Sequence, residues 1–213
     1  MVAVQWVTIA SLATALGTLV LAIATFASVR SANRAARVSE QAFLHGQQPL
    51  LFPSHFDDRV QKVGWVDEHR TVLQGGHAAA EVDGDVVYLA ASLRNVGNGI
   101  AVIQGWRVTA ARVTSEIAMP EPETFRAQTR DLYVPSNEIG FWQGAFREAH
   151  DPDGVAMRDA VSMRTPFTIE LLYSDHEGGQ RAIGRFFVAP ATDGDAWLFS
   201  MVRHWNLDRP NPR

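Results

Sequence analysis

The densest run of titratable side chains in the chain is Asp175-His176-Glu177. A histidine between two carboxylates offers nitrogen and oxygen ligands of the kind that divalent metals bind. Adjacent side chains on a turning chain point apart, however, and Gly178-Gly179 follow, as glycines do in hairpin loops. The pattern therefore favours a solvated turn over a metal site.

A second acidic segment, His150-Asp151-Pro152-Asp153-Gly154, is similar to the start of a calcium-binding loop. Such a loop needs glycine at its sixth position and glutamate at its twelfth. Counted from Asp151, the glycine is fourth and the twelfth residue is Ser162. Asp as N-cap followed by Pro at the first helical position is a common helix start. We therefore predict a helix from Asp151 to about Met163.

The remaining chemistry-bearing patterns predict no catalytic residue and no cofactor or metal site. Gly75-Gly76 and Gly97-Asn98-Gly99 do not match a phosphate-binding loop, and no G-x-S-x-G elbow is present. The chain has no cysteine for thiolate ligands, and its net charge of -4 disfavours nucleic acid as a partner. One alternative stays open: an enzyme or small-ligand sensor whose site is built from dispersed loop residues, His77, Asp175 and His176.

Four aromatic side chains are candidates for binding a partner protein. Phe141 and Trp142 are adjacent on a predicted strand, so one of them must face away from the core that the other enters. Trp197 and Trp205 lie near the C-terminus beside Arg203 and His204. Exposed tryptophan next to arginine is typical of interface hot spots. The alternative is that these rings cap the open end of the sandwich.

The elements that would position these residues begin with an uncharged segment, Val2 to Val29, followed by Arg30, Arg34 and Arg37. A bilayer core of about 30 Å is spanned by roughly 20 apolar residues in a helix. We predict a transmembrane helix over residues 1–29, in contact with lipid through residues 2–29. A cleaved signal peptide would need a basic start and a shorter apolar run, and a buried soluble helix would need a polar face.

The arginines also predict an orientation and a location. Positive charge flanking a membrane helix is retained in the cytoplasm, so we expect the N-terminus outside and the C-terminal domain inside. Basic charge is almost all arginine, 18 Arg against the single Lys62, a composition common in GC-rich bacterial genomes. We therefore expect a single-pass protein of the bacterial inner membrane, with a juxtamembrane helical stalk over 30–46 that ends at Gly46.

Residues 47–213 read as a mainly β domain. Short runs with alternating apolar residues, such as Asp85–Asn95 and Phe167–Tyr173, are separated by turns rich in Gly, Asn and Asp. Seven to nine such runs with one or two short helices predict an antiparallel β-sandwich. In the tail, Asp195 to Trp205, apolar residues recur at i, i+1, i+4, i+5 and i+8, which predicts a helix.

The segments QQPLL (47–51) and LRNVGNGIA (93–101) carry a resemblance. With the N-terminal helix and stalk, they resemble bacterial single-pass proteins in which an immunoglobulin-like sandwich carries an asparagine-glycine turn between two core strands. Asn95, Gly97, Gly99 and Ala101 match that turn, where Gly and Asn can take positive φ. The resemblance implies a fold and no activity. We therefore predict a membrane-anchored, non-enzymatic interaction module.

Overall fold

The structure is a computed structural model that describes residues 2–113, 118–192 and 194–211, without the side chains of residues 2–10, 13, 41, 44 and 45. It divides between His45 and Gly46 into a helical unit and a β-rich unit. The β-rich unit, called the β domain below, contains every predicted candidate site residue.

The helical unit is one unbroken helix, α1, over Val2–Gly46. At 1.5 Å per residue it is about 68 Å long, more than twice the thickness of a bilayer core. Every described side chain from Ser11 to Glu40 is exposed, including Leu12 at 64% and Phe26 at 69%. Over Thr14–Glu40 the helix is long and apolar enough to cross a membrane.

The described part of the β domain contains eleven strands, one further α-helix and a short 3-10 helix at Pro122–Thr124. The strands and helix are β1 (Leu51–Pro53), β2 (Gln61–Gly64), β3 (Arg70–Leu73), β4 (His77–Asp83), β5 (Val86–Asn95), β6 (Ala101–Thr109), β7 (Arg126–Val134), β8 (Ile139–Phe146), α2 (Pro152–Ser162), β9 (Phe167–Ser174), β10 (Ala182–Pro190) and β11 (Trp197–Asn206). The prediction of a mainly β, antiparallel domain with one or two short helices behind a long N-terminal helix is confirmed.

Nine of the strands form one curled antiparallel sheet in the order β1-β5-β4-β11-β10-β9-β6-β7, with β8 on the other side of β5. Strands β2 and β3 form a separate hairpin. The curl brings β7 towards β8, where the Gln128 side-chain amide donates to the Gln143 carbonyl at 3.2 Å. The sheet thus folds around its own core.

Apolar side chains from all parts of the curled sheet fill that core, with Trp142, Phe167 and Phe186 among the largest fully buried ones. Helix α2 contributes Met157 and Val161 to the same core. A smaller core lies beneath the β2–β3 hairpin and consists of the buried residues Val63, Trp65, Leu73, Tyr88 and Ala90.

Helix α2 begins as the sequence predicts. The Asp151 carboxylate accepts hydrogen bonds from the backbone N–H of Asp153 (3.0 Å) and Gly154 (3.4 Å), and Pro152 takes the first helical position. Arg126 donates two bonds to the same carboxylate at 2.6 and 2.9 Å. Burial alone would raise the pKa of Asp151, but the Arg126 bonds hold it below its ordinary value. The acidic segment is a helix cap.

The prediction of a helix over Asp195–Trp205 is wrong, because this segment is strand β11. Met201 pairs with Phe186 and Arg203 pairs with Arg185, so Val202 is an extra residue in a β-bulge. The bulge reverses which residues face the core, and Trp205 therefore lies on the opposite face from Trp197. The bulge interrupts the two-residue alternation of β11, so the apolar residues of this strand fall at intervals that resemble those of a helix.

The Asn95 turn has a different structural basis from the one predicted. Asn95 is fully buried, and its amide donates to the carbonyls of Gly99 (2.6 Å) and Val134 (3.0 Å). Its oxygen accepts from the N–H groups of Leu50 and Gly97, each at 3.0 Å. The asparagine therefore joins the first residues of the β domain to the end of β5.

Glycine is required in this turn by close approach and not by positive φ. Neither Gly97 nor Gly99 has a positive φ. A Cβ at Gly99 would lie 1.8 Å from the Gln47 carbonyl oxygen, and one at Gly97 would lie 2.2 Å from that of Gln48. Any side chain at either position would push the QQPLL segment out of place.

A second polar network lies beside the first residues of the β domain. The Tyr173 hydroxyl accepts from the Leu51 N–H (3.4 Å) and lies 3.2 Å from Nδ1 of His204. His204 Nε2 lies 3.1 Å from the side-chain oxygen of Asn206, which also accepts from Gln48 at 2.9 Å. These contacts are all satisfied by neutral His204 carrying its proton on Nε2. Burial lowers the pKa of His204 and raises that of Tyr173.

An ion network is buried on the outer face of β9 and β10. Glu170, with its side chain 3% exposed, accepts from Arg185 Nε at 2.7 Å and pairs with Arg107 at 2.6 Å. The Arg185 guanidinium lies 4.8 Å from the Trp205 ring centre. The charged groups on this face of the sheet thus contact one another and the Trp205 ring in place of water.

Candidate binding cleft beside strand β4

The structure does not bring His77, Asp175 and His176 together. His77 pairs with Leu198 near one end of β11. Asp175 follows β9 near Ala182, which pairs with Asn206 at the other end of β11. Eight residues of strand separate these ends, roughly 26 Å at 3.3 Å per residue.

Asp175 instead stabilises its own turn. Its carboxylate accepts from the N–H groups of Glu177 (3.0 Å) and Gly179 (2.8 Å), while His176 is exposed to solvent. The turn predicted here is confirmed, but Asp175 itself is buried and not solvated. Within the described residues, no group of three or more His, Cys, Asp and Glu side chains is arranged to hold a metal ion.

Three of the four aromatic side chains predicted to bind a partner lie inside the β domain. Trp142 is fully buried, and Trp197 and Trp205 are each 4% exposed. Trp142 packs 5.6 Å from Trp106, measured between ring centres, in the main core. Phe141 is half-buried and touches both cores. These tryptophans stabilise the domain from within and present no exposed ring to a partner.

A cleft of about 490 Å³ lies at the edge of β4, at a position that sequence reasoning missed. It is lined by residues of β3, by Gln74, by Val161 of α2 and by the β10–β11 turn with Arg164. The alanines Ala78, Ala79 and Ala80 of β4 lie along its floor. Because their side chains are small, the strand backbone is left within reach of a bound molecule.

The floor of this cleft is a strand edge that is unpaired among the described residues. Within them, β11 pairs with β4 at His77 and Ala78, and the Phe199 N–H donates to the Gly76 carbonyl at 3.3 Å. Backbone groups alternate between the two edges of an antiparallel strand, so Ala80 and Val82 point to the same side as Gly76. No strand pairs with them there in the described part of the chain. We call the backbone groups of Ala80 and Val82 the β4 edge.

Arg164 keeps the β10–β11 turn in place as one wall of the cleft. It follows α2 with a φ of 51°, and its guanidinium donates to the carbonyls of Gly194, Asp195 and Ala196, each at 3.2 Å. The same guanidinium lies 5.1 Å from the ring centre of Trp197. The turn is thus fastened to the end of α2.

Acidic side chains dominate the surroundings of the β4 edge. The side chains of Glu81, Asp83 and Asp195 are 40%, 76% and 107% exposed. Glu81 accepts from Thr71 at 2.6 Å and lies 2.8 Å from His69. Arg164 lies 3.7 Å from the Asp195 carboxylate and balances one of these three charges, so the cleft offers a strand edge beside a net negative charge.

The β2–β3 hairpin is held against β4 and β5 by aromatic and polar contacts. His69 stacks on Tyr88 with ring centres 3.8 Å apart, and the Tyr88 hydroxyl donates to Asp67 at 2.7 Å. Burial and the Asp67 carboxylate raise the pKa of Tyr88 to about 12. Burial alone would raise the pKa of Asp67, but its bonds from Tyr88 and Arg147 lower it. At neutral pH Tyr88 therefore stays protonated and Asp67 stays ionised, which suits a structural clamp.

Comparisons with protein-family profiles, with curated proteins and with solved structures find no match for this chain. Its function is therefore inferred from its own residues.

Proposed function

We propose that this chain is a membrane-anchored, non-enzymatic interaction module: α1 spans a bilayer and the β domain binds an extended segment of a partner protein. The exposed apolar surface of α1 supports the first part. A helix surface of this length and composition is unfavourable in water and is stabilised by hydrocarbon. Residues 2–29 then contact the lipid.

The orientation follows from Arg30, Arg34 and Arg37. These charges flank the apolar segment on its C-terminal side, and no lysine or arginine precedes them. If these charges are retained in the cytoplasm of a bacterium, the N-terminus lies outside the inner membrane and the β domain lies on its cytoplasmic side. Reporter fusions at the C-terminus test this: activity of a reporter that works only outside the cytoplasm would refute the orientation.

The β4 edge is the observation that carries the binding part of the proposal. Ala80, which lines the cleft, and Val82 direct two N–H and two C=O groups away from β5, and an extended peptide can pair with such groups as an added strand. The alanine floor leaves room for the incoming backbone. From Ala80 to Val82 the edge is about 7 Å long at about 3.3 Å per residue, enough to pair with an added strand of about three residues.

The charges around the edge favour a basic partner segment over a second copy of this chain. If two β4 edges paired antiparallel about Glu81, that carboxylate would face the Glu81 of a second copy, and like charges opposite each other destabilise a sheet. Asp83 and Asp195 add exposed negative charge near the same edge. Lysine or arginine side chains in the bound segment would complement it.

Site-specific crosslinking in membranes tests the binding part directly. A photo-reactive amino acid replaces Val82, beside the β4 edge, or the exposed Tyr133 on β7 as a matched control. We expect a defined partner to crosslink from Val82 and not from Tyr133. Crosslinks from Tyr133 alone, or none from Val82, would overturn the proposed binding edge.

Two kinds of variant separate recognition from folding. Ala80→Pro removes one outward N–H, a change tolerated at edge strands, and should abolish the Val82 crosslink. The double variant Asp83→Lys, Asp195→Lys keeps the backbone groups and should weaken the Val82 crosslink. Asp131→Lys, at an exposed position on β7, should leave that crosslink unchanged. Near-ultraviolet circular dichroism checks that each variant is folded. Undiminished crosslinking in both edge variants would refute strand addition.

A further inference from the structure

We infer that a stripe of arginines on α1, Arg30, Arg34 and Arg37, binds the phosphate of an anionic phospholipid. The inference rests on the proposed membrane placement of α1. The three residues are spaced i, i+4 and i+7, which puts them on one face of the helix. At 1.5 Å per residue the stripe is about 10 Å long, enough to cross one headgroup layer of about 5–8 Å.

The stripe is available to a ligand. All three arginines are exposed, and within the described residues no ion pair or hydrogen bond joins any of them to another side chain. Their side chains border a shallow groove of about 420 Å³ on the helix surface. The groove also contains Phe26 and Val29 at its apolar end. The groove thus runs from apolar to cationic side chains, and a polar ligand with an attached hydrocarbon chain matches that order.

The chemistry of the stripe selects a phosphate group. A guanidinium donates paired N–H groups that match two oxygens of a phosphate, and Asn33 in the same groove adds an amide donor. The phosphodiester of a lipid would lie at the arginines while its acyl chains run beside Phe26 and Val29. Neutral phospholipids also contain phosphate but carry a compensating ammonium group. Three cationic side chains therefore favour a lipid with net negative charge.

The expected preference can be stated as a ratio. Each arginine near an anionic membrane surface contributes about 1 kcal/mol, which corresponds to roughly a five-fold change in lipid enrichment. Replacing one arginine by glutamine should lower the enrichment of anionic lipid around the protein by about that factor. Replacing all three should bring the proportion of anionic lipid around the protein to its proportion in the bulk bilayer.

The full chain is reconstituted into nanodiscs of phosphatidylcholine alone or with a minority of phosphatidylglycerol. Native mass spectrometry then measures the ratio of the two lipids that remain bound after release into detergent. We expect phosphatidylglycerol to be enriched above its bulk fraction, and the Arg30→Gln, Arg34→Gln, Arg37→Gln triple variant to lose that enrichment. Arg59→Gln, at an exposed arginine of the β domain, makes the same charge change as any one of these substitutions and should have no effect.

The outcomes separate the two proposals. Failure to enter either bilayer would refute the membrane placement and with it the lipid site. Entry into both, with no enrichment or with enrichment unchanged in the triple variant, would overturn the lipid site and leave the anchor standing. Displacement of the bound lipid by inorganic phosphate at low millimolar concentration would assign the stripe to free phosphate and also overturn the lipid site. Far-ultraviolet circular dichroism verifies that the triple variant remains helical.

Discussion

Replacing the buried Asn95 by alanine should destabilise the β domain strongly. The substitution leaves four backbone groups without their partner: the carbonyls of Gly99 and Val134 and the N–H groups of Leu50 and Gly97. An unsatisfied buried polar group costs about 1–3 kcal/mol, and some of these groups will recover water at the domain surface. Counting about 1 kcal/mol for each, we expect the free energy of unfolding to fall by about 4 kcal/mol.

Asn98→Ala is a matched control in the same turn. Asn98 is exposed, and no side-chain hydrogen bond is described for it, so its replacement should change the free energy of unfolding by less than about 0.5 kcal/mol. Asn95→Asp is a second comparison, because it keeps the acceptor oxygen, removes both donors and places a charge in a buried site. It should be at least as destabilising as the alanine variant.

Urea unfolding of the full chain in detergent micelles measures these differences, followed by near-ultraviolet circular dichroism of the tryptophans. The transition reports on the β domain because Trp65, Trp106, Trp142, Trp197 and Trp205 all lie in it. For a domain of this size, about 4 kcal/mol corresponds to a melting temperature lower by about 8–16 °C. A loss below about 1.5 kcal/mol for Asn95→Ala, or a loss equal to that of Asn98→Ala, would refute the proposed role of the asparagine.

Three further predictions follow from the buried groups. Glu170→Gln removes the carboxylate charge that Arg107 and Arg185 both contact and should lower the free energy of unfolding by about 3–5 kcal/mol, measured by urea titration; an unchanged midpoint would contradict the buried network. Because the pKa of His204 is lowered in the folded state, the unfolded state binds more protons, and stability should fall as the pH drops below about 6.5. His204→Gln should remove this slope, and a slope that persists in the variant would assign it to another group. Trp142→Ala should cost about 3–5 kcal/mol by urea titration, since it empties the centre of the main core, and a loss under about 1 kcal/mol would contradict that placement.

Much of the architecture could be predicted from local patterns. The apolar length of Val2–Val29, the glycine at Gly46 and the Asp151-Pro152 cap are signals that act within a few residues, and the structure contains the corresponding helices. The β2–β3 hairpin likewise pairs two neighbouring segments of the chain. Each of these features depends on nearby residues alone, which a sequence displays directly.

The misjudged features depend on contacts between distant segments. The bulge at Val202 exists because β11 must pair with β10 on both sides of it, and nothing within Asp195–Trp205 reveals that partner. Phe141 and Trp142 could be assigned to opposite faces of a strand. Both faces of that strand are covered, however, because the β2–β3 hairpin packs on the second one.

The β4 edge could not be predicted from the sequence for the same reason. Whether Ala80 and Val82 are paired depends on the order of strands in the sheet and on where β11 begins at Trp197. The only local sign was the run Ala78-Ala79-Ala80, which indicates a place where another backbone can approach. Alanine runs are also common in cores, so the sequence alone did not distinguish an open edge from close packing.

Residue-resolved hydrogen exchange of the full chain in nanodiscs tests the central claim most directly. In the free chain, the outward amides of Ala80 and Val82 should exchange much faster than those of Ala79 and Glu81, which face β5. With the partner recovered by crosslinking at Val82 added back, exchange at Ala80 and Val82 should slow to the rate of their neighbours. Equal protection of all four amides in the free chain, or no slowing when the partner binds, would contradict binding at the β4 edge.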